Sequence, residues 1–193
     1  APSYLFESDY SRREIKLEIG PIAGREPAHL IPINTYISIE YKDVFNHTFK
    51  VRTIDVERTF WEKVLILHQE AHRPMFKKDK NGRDIPNLIP KRYSRHYYDV
   101  WKISQTEYKN IAMTNLDLLN RVIAFKKKFY HYSWDDLENA KPGSIILVPN
   151  DERITELRQD FSSMREMLND DSIHTFDELI QHLSSLENEL NTK

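Results

Sequence analysis

The sequence predicts an α+β chain that is mainly helical. Three observations carry this: short runs of period-two alternation early in the chain, apolar residues at helical spacing from Asp55 onward, and turn residues between those runs. Taken in order, residues 12 to 19 alternate, with Ile15, Leu17 and Ile19 on one face and Glu14, Lys16 and Glu18 on the other. This reads as a half-buried strand ending at Gly20-Pro21. A second alternating run, Tyr36 to Tyr41, follows a Pro-containing connection, and a third short strand is expected from Phe49 to Arg52.

At Asp55 the period changes. Phe60, Val64, Leu67 and Ala71 form a helical stripe, with Asp55 as N-cap, Glu57 in the first turn and Pro74 closing the helix. Residues 76 to 91 are polar, hold Gly82, Pro86 and Pro90, and read as a long loop. Helices are expected from about Tyr93 to Ile103 and from about Tyr108 to Phe129. A Lys141-Pro142-Gly143 turn leads to the apolar run Ile145 to Val148. Two further helices are expected at about 151–168 and 176–190, the last opened by a capping box of Thr175 and Glu178.

Composition narrows the function classes. The 193 residues fit one domain, or a small domain at 1–54 with a helical one at 55–193. With 28 basic against 30 acidic side chains, the net charge of -2 gives no global attraction to nucleic acid, so such a contact needs a local patch. The absence of cysteine excludes disulfides and thiolate metal sites and suits a cytoplasmic location. No apolar run approaches the roughly 20 residues that cross a bilayer, so no membrane partner is expected. The start, Ala1-Pro2-Ser3-Tyr4, lacks a signal pattern and an initiator Met, which suggests processing or trimming.

Several residues have chemistry to offer. Lys16 and Glu18 share a strand face, where a carboxylate aimed at a cleft binds a cation or acts as a base, although a solvated face is the ordinary reading. Arg95 and Asp99 stand four apart, and Arg92 and His96 complete a charged stripe beside Tyr97, Tyr98, Val100 and Trp101. Lys63 lies beside a core-facing stripe and either reaches a phosphate or covers surface. His68 and His72 share a helical face, but Glu does not follow His68 directly and no third ligand is evident from spacing, which argues against a zinc hydrolase. Lys126-Lys127-Lys128 before Phe129, Tyr130, Tyr132 and Trp134 suit either single-stranded RNA or the dipole of a helix C-terminus. Gly143-Ser144 followed by Asp151-Glu152 imitates a nucleotidyltransferase signature, but Pro149 intervenes and the acidic pair opens a helix.

The ordered set Ile15-Lys16-Leu17-Glu18-Ile19, Glu57 to Lys63, and Arg92 to Asp99 resembles the AbiEii family of nucleotidyltransferase toxins from toxin–antitoxin pairs. So do Lys141 to Ser144, Leu147-Val148-Pro149, Asp160 to Met164, Leu186-Glu187 and Asn191. The resemblance covers nearly the whole chain and matches the C-terminal two-thirds of such a toxin. It implies part of a polymerase-β-like nucleotidyltransferase sheet followed by a helical bundle. It also implies that Glu18 holds a catalytic Mg2+ in the complete protein, that Lys63 contacts nucleotide phosphate, and that Asp99 is an essential acid. Lys16, Arg92 and Arg95 would bind substrate. His96 departs from the family, which usually has Asp there. The family's Gly-Ser turn and D-x-D pair should precede Ile15, so the chain is expected to be a fragment that is inactive alone, with Ile15, Leu17 and Ile19 exposed or pairing with a second copy through a free strand edge. The implied partners are an NTP, an RNA or protein acceptor and a cognate antitoxin. The alternative of another class is a non-catalytic module that docks RNA or a protein partner.

Overall fold

A computed structural model of the chain describes residues 24, 26–45, 48–165, 168, 173 and 175–192. The expected strand at 12–19, with Lys16 and Glu18, lies outside the described residues. The fold is α+β and mainly helical.

A hairpin comes first. β1 (Ala28–Ile33) pairs antiparallel with β2 (Phe49–Ile54), from Ala28 opposite Ile54 to Ile33 opposite Phe49. The sequence reading assigned β1 to a connection because of its prolines. Among the described residues the ribbon is two-stranded, and Pro32 fits an edge strand, where a missing N–H on the unpaired side costs no ladder bond. The alternating run at Tyr36–Tyr41 is not a strand: Ile37–Glu40 form a single helical turn, α1, and Tyr36 is 91% exposed. Among the described residues no strand pairs with this run, and a local turn forms instead. Leu30, Ile39, Val44 and Phe49 are also exposed, and the hairpin adds nothing to the described core.

α2 (Val56–Ala71) is the central element and packs against α3 (Arg95–Ser104), α4 (Glu107–Thr114) and α5 (Leu116–Phe129). Phe60, Trp61, Val64, Leu65 and Leu67 are fully buried, a stripe wider than one helical face because α2 has neighbours on several sides. The Trp61 indole Nε1 donates to the Ala112 carbonyl at 3.1 Å, which fixes α4 against α2. Asp55 occupies the N-cap position of α2, but its carboxylate meets His29 Nδ1 at 2.6 Å and makes no capping bond. The expected loop at 76–91 contains a small hairpin, β3 (Phe76–Lys78) with β4 (Asp84–Pro86), turned at Gly82, whose φ of 78° favours glycine.

The long helix expected at 108–129 is broken at Asn115, which ends α4 and caps α5 through a bond from Leu118 N–H. α6 (Asp151–Met164) and α7 (Phe176–Asn191) pack on each other, and α7 also packs on α3. The capping box of Thr175 and Glu178 forms as expected. The apolar run Ile145–Val148 joins no sheet. Its N–H groups are taken by side chains instead: Asn191 Oδ1 for Gly143 and Ile145, His68 Nδ1 for Ile146, and Glu187 Oε2 for Leu147 and Val148. Buried backbone donors need partners, and here they come from α7 and α2. No helix among the described residues is long and apolar enough to cross a membrane.

Candidate functional site

The site is built where α2 faces α3. Lys63 leaves α2 between the buried stripe and solvent, and its Nζ donates to Asp99 Oδ2 at 2.8 Å and to His96 Nδ1 at 3.0 Å. One ammonium thus holds two side chains that stand a turn apart on α3. Because His96 Nδ1 accepts, the imidazole carries its proton on Nε2 and is neutral. Burial pulls its pKa down to about 3, reinforced by the charges of Lys63, Arg95 and Lys126. The 4.0 Å separation of His96 Nδ1 from Asp99 Oδ2 is therefore no ion pair, because the ring has no charge to contribute. The side chains of Lys63 and Asp99 are 23% and 38% exposed, so their pair contributes only about 0–1 kcal/mol to stability. Its effect is to fix position.

The other two cations of the expected stripe behave differently. Arg95 opens α3 and is exposed. Arg92 is not on the helix at all: its φ of 65° puts it in the left-handed region, and its N–H donates to Asp160 Oδ1 at 2.5 Å. The stripe of four expected from spacing is therefore three residues on α3 and one before it. Asp160 also accepts from Ser94 N–H and Ser94 Oγ, so it covers the donors at the start of α3.

Beside this cluster lies a cavity of about 380 Å³, lined by Glu62, Gln69, Tyr93, Phe125, Lys126 and Tyr132 among others. Tyr93 connects the two: its ring meets His96 edge-on at 4.8 Å. Burial pushes the Tyr93 phenol well above its ordinary range, so it stays protonated. Lys126, Lys127 and Lys128 all stand in the last turn of α5, as the helix C-terminus reading expects, and Lys126 is 7% exposed. Its spacing from Leu119 and Val122, both buried, puts it on the apolar face of α5, and that spacing was a readable signal. Lys127 instead pairs with Glu138 at 2.9 Å, and Lys128 lies over the Phe129 ring at 5.3 Å.

Metal binding has two candidate locations. Mg2+ takes oxygen ligands in octahedral geometry, usually one or two carboxylates with phosphates and water. Among the described residues the Lys63 cluster offers only Asp99, already paired with an ammonium, while Glu62 accepts from Arg58 Nε at 2.9 Å. These residues do not form an Mg2+ site, and Glu18 lies outside the described residues. The second location is His68, His72 and Asp136, whose ligand atoms lie within 4.8 Å of one another. Asp136 is the third group that sequence spacing did not reveal. However, His68 Nδ1 accepts from Ile146 N–H and its Nε2 donates to the Asp136 carbonyl, both at 3.1 Å. His68 has no lone pair left for an ion, and burial keeps its ring neutral by lowering its pKa. The cluster is a structural link between α2 and the 136–146 segment.

A family model described as Nucleotidyl transferase AbiEii toxin, Type IV TA system, matches residues 2–182. No curated protein and no solved structure matches the chain.

Proposed function

The chain belongs to the AbiEii family of nucleotidyltransferase toxins of type IV toxin–antitoxin systems, and on that premise we propose that it serves the transfer of a nucleotide from an NTP to an RNA or protein acceptor. In that reaction an acceptor hydroxyl forms a bond to the α-phosphorus and loses its proton to solvent, the bond from that phosphorus to the β-phosphate bridge breaks, and pyrophosphate leaves with the electron pair. The observation that supports the reading best is the Lys63 clamp, which joins the Glu57–Lys63 and Arg92–Asp99 motifs at 2.8 Å beside an open cavity. In this reading Lys63 supplies positive charge to the phosphates, Asp99 holds it in place, and exposed Arg95, with Arg92, draws the anionic nucleotide to the mouth. Glu18 completes the set in this reading as the metal-binding carboxylate. A cytoplasmic location and a neutralising antitoxin are part of the same proposal.

The test uses the whole protein as its gene encodes it, with each labelled NTP, a divalent cation, and both RNA and protein acceptors. Asp99→Asn is expected to lower transfer by about 100-fold or more, while changing stability by no more than about 1 kcal/mol. Undiminished transfer by that variant would overturn the assigned role. Absence of transfer to every acceptor, together with harmless expression in cells, would instead favour the non-catalytic docking module.

A further inference from the structure

Lys126 lies in the wall of the cavity and is 7% exposed, yet among the described residues its ammonium makes a single hydrogen bond, to Gln69 Oε1 at 3.0 Å. Gln69 cannot turn to offer more. Its Nε2 is held by the Tyr130 carbonyl at 3.2 Å and by buried Asp135 at 3.3 Å. Glu62, Asp135 and Glu70 act on Lys126 only through their charge, and no carboxylate among the described residues pairs with it directly. A buried cation normally has a charged partner and several hydrogen bonds. This one faces a cavity with most of its donor capacity unused.

The walls around it specify what would complete the set. Tyr93, Phe125, Tyr130 and Tyr132 line the same space, so an incoming group meets ring faces and edges on several sides and one ammonium. Flat rings with hydrogen-bond acceptors in their plane fit such a chamber, and base–aromatic stacking is a general way of holding them. A phosphate would find a single cation there, with the Glu62 carboxylate in the same wall. The exposed Arg95 and the Lys63 clamp lie outside the chamber and suit phosphate better.

We propose that this cavity binds the base of the nucleotide, and that Lys126 donates to a ring carbonyl oxygen, so that the site selects bases presenting an oxo group over adenine. The inference rests on the nucleotidyltransferase reading for the identity of the ligand. Guanine offers O6, uracil O4 and O2, and cytosine O2, whereas the matching edge of adenine presents an amino group that faces the ammonium donor to donor. Lys126 is here a specificity-determining residue and takes no part in the bond changes.

Equilibrium binding of GTP, UTP, CTP, ATP and inorganic triphosphate to the full-length protein tests this without any turnover. An oxo base is expected to bind at least about 10-fold more tightly than ATP, the factor a charge-assisted hydrogen bond supports. Lys126→Met should bring that ratio to near one, chiefly by weakening the oxo bases. Met suits the apolar stripe of α5, and a matching unfolding midpoint confirms that the variant folds. Tyr132→Ala, at an exposed ring, should weaken all four nucleotides alike and leave the ratio intact. Equal losses for all nucleotides and for triphosphate in Lys126→Met would identify a phosphate contact and overturn the proposal, as would no change at all. If nucleotide preference is absent while Asp99-dependent transfer persists, this inference falls alone. If no nucleotide binds, the inference and the nucleotidyltransferase reading fall together.

Discussion

Lowering the pH should unfold this protein partly through His96, and the magnitude follows from its environment. The ordinary histidine pKa is 6.5, and in the folded state burial with Lys63, Arg95 and Lys126 nearby brings His96 to about 3. The unfolded chain therefore binds a proton that the native state refuses. Stability from this group is fully present above the unfolded pKa and is lost as pH falls toward the folded one. Between about pH 7.5 and about pH 5 the linkage relation gives a loss of about 2 kcal/mol. The figure hardly depends on how far the folded pKa lies below about 4, since at pH 5 the native ring is neutral in any such case. His68 shifts in the same direction, and carboxylates titrate in the same window, so the absolute slope is a sum. The difference between wild type and His96→Asn isolates the one group, because the Asn amide oxygen can still accept from Lys63 but does not titrate. Denaturant unfolding at the two pH values is the assay. Wild type is expected to lose about 2 kcal/mol more than the variant. Equal losses would refute the argument, because they would mean that His96 charges freely and that Lys63 does not donate to it.

Two other perturbations have defined outcomes. Arg153 is 1% exposed, ties α6 to the segment before α3 through the Asn87 and Pro74 carbonyls, and pairs with Glu156 Oε2 on its own helix. Arg153→Ala is expected to destabilise by about 3–5 kcal/mol, since it strands these acceptors and leaves a void; a loss below about 1 kcal/mol by denaturant unfolding would show that water replaces the guanidinium. The Tyr97 hydroxyl is buried with no hydrogen-bond partner among the described residues. Tyr97→Phe should therefore be neutral or stabilising by up to about 1 kcal/mol, and a clear fall in the unfolding midpoint would reveal a partner such as an ordered water.

Where the sequence was informative, one face of a regular element carried the signal. The stripe of α2 and the capping box of α7 both follow from residues at fixed helical spacing. Where it misled, the deciding contact was remote in the chain. Asn115 breaks a pattern that reads as one helix, and its break is set by packing of α4 on Trp61. The left-handed Arg92 depends on Asp160, 68 residues away. The run Ile145–Val148 has strand-like composition, but its backbone is satisfied by Glu187 and Asn191 of α7, so no ladder forms. The burial of Lys126 has a different origin: on a helix consecutive residues point about 100° apart, and only one of the three lysines falls on the buried face.

The residues that carried the family resemblance divide into two physical kinds. Lys63 and Asp99 are partly exposed, His96 is buried and accepts from Lys63, and their mutual contacts contribute little stability. Asp160, Glu187 and Asn191 are acceptors for backbone N–H groups at the start of α3 and along 143–148. Their work is to satisfy donors that would otherwise be buried unpaired, at a cost of about 1–3 kcal/mol each. The second kind supports the first: α3 starts where Asp160 holds it, and α7, which carries Glu187 and Asn191, packs on α3. A motif match in the C-terminal half of the chain therefore reports the scaffold that aims Asp99 at Lys63. In the proposed reading the chemistry falls to Lys63 and Asp99, whose side chains keep contact with solvent.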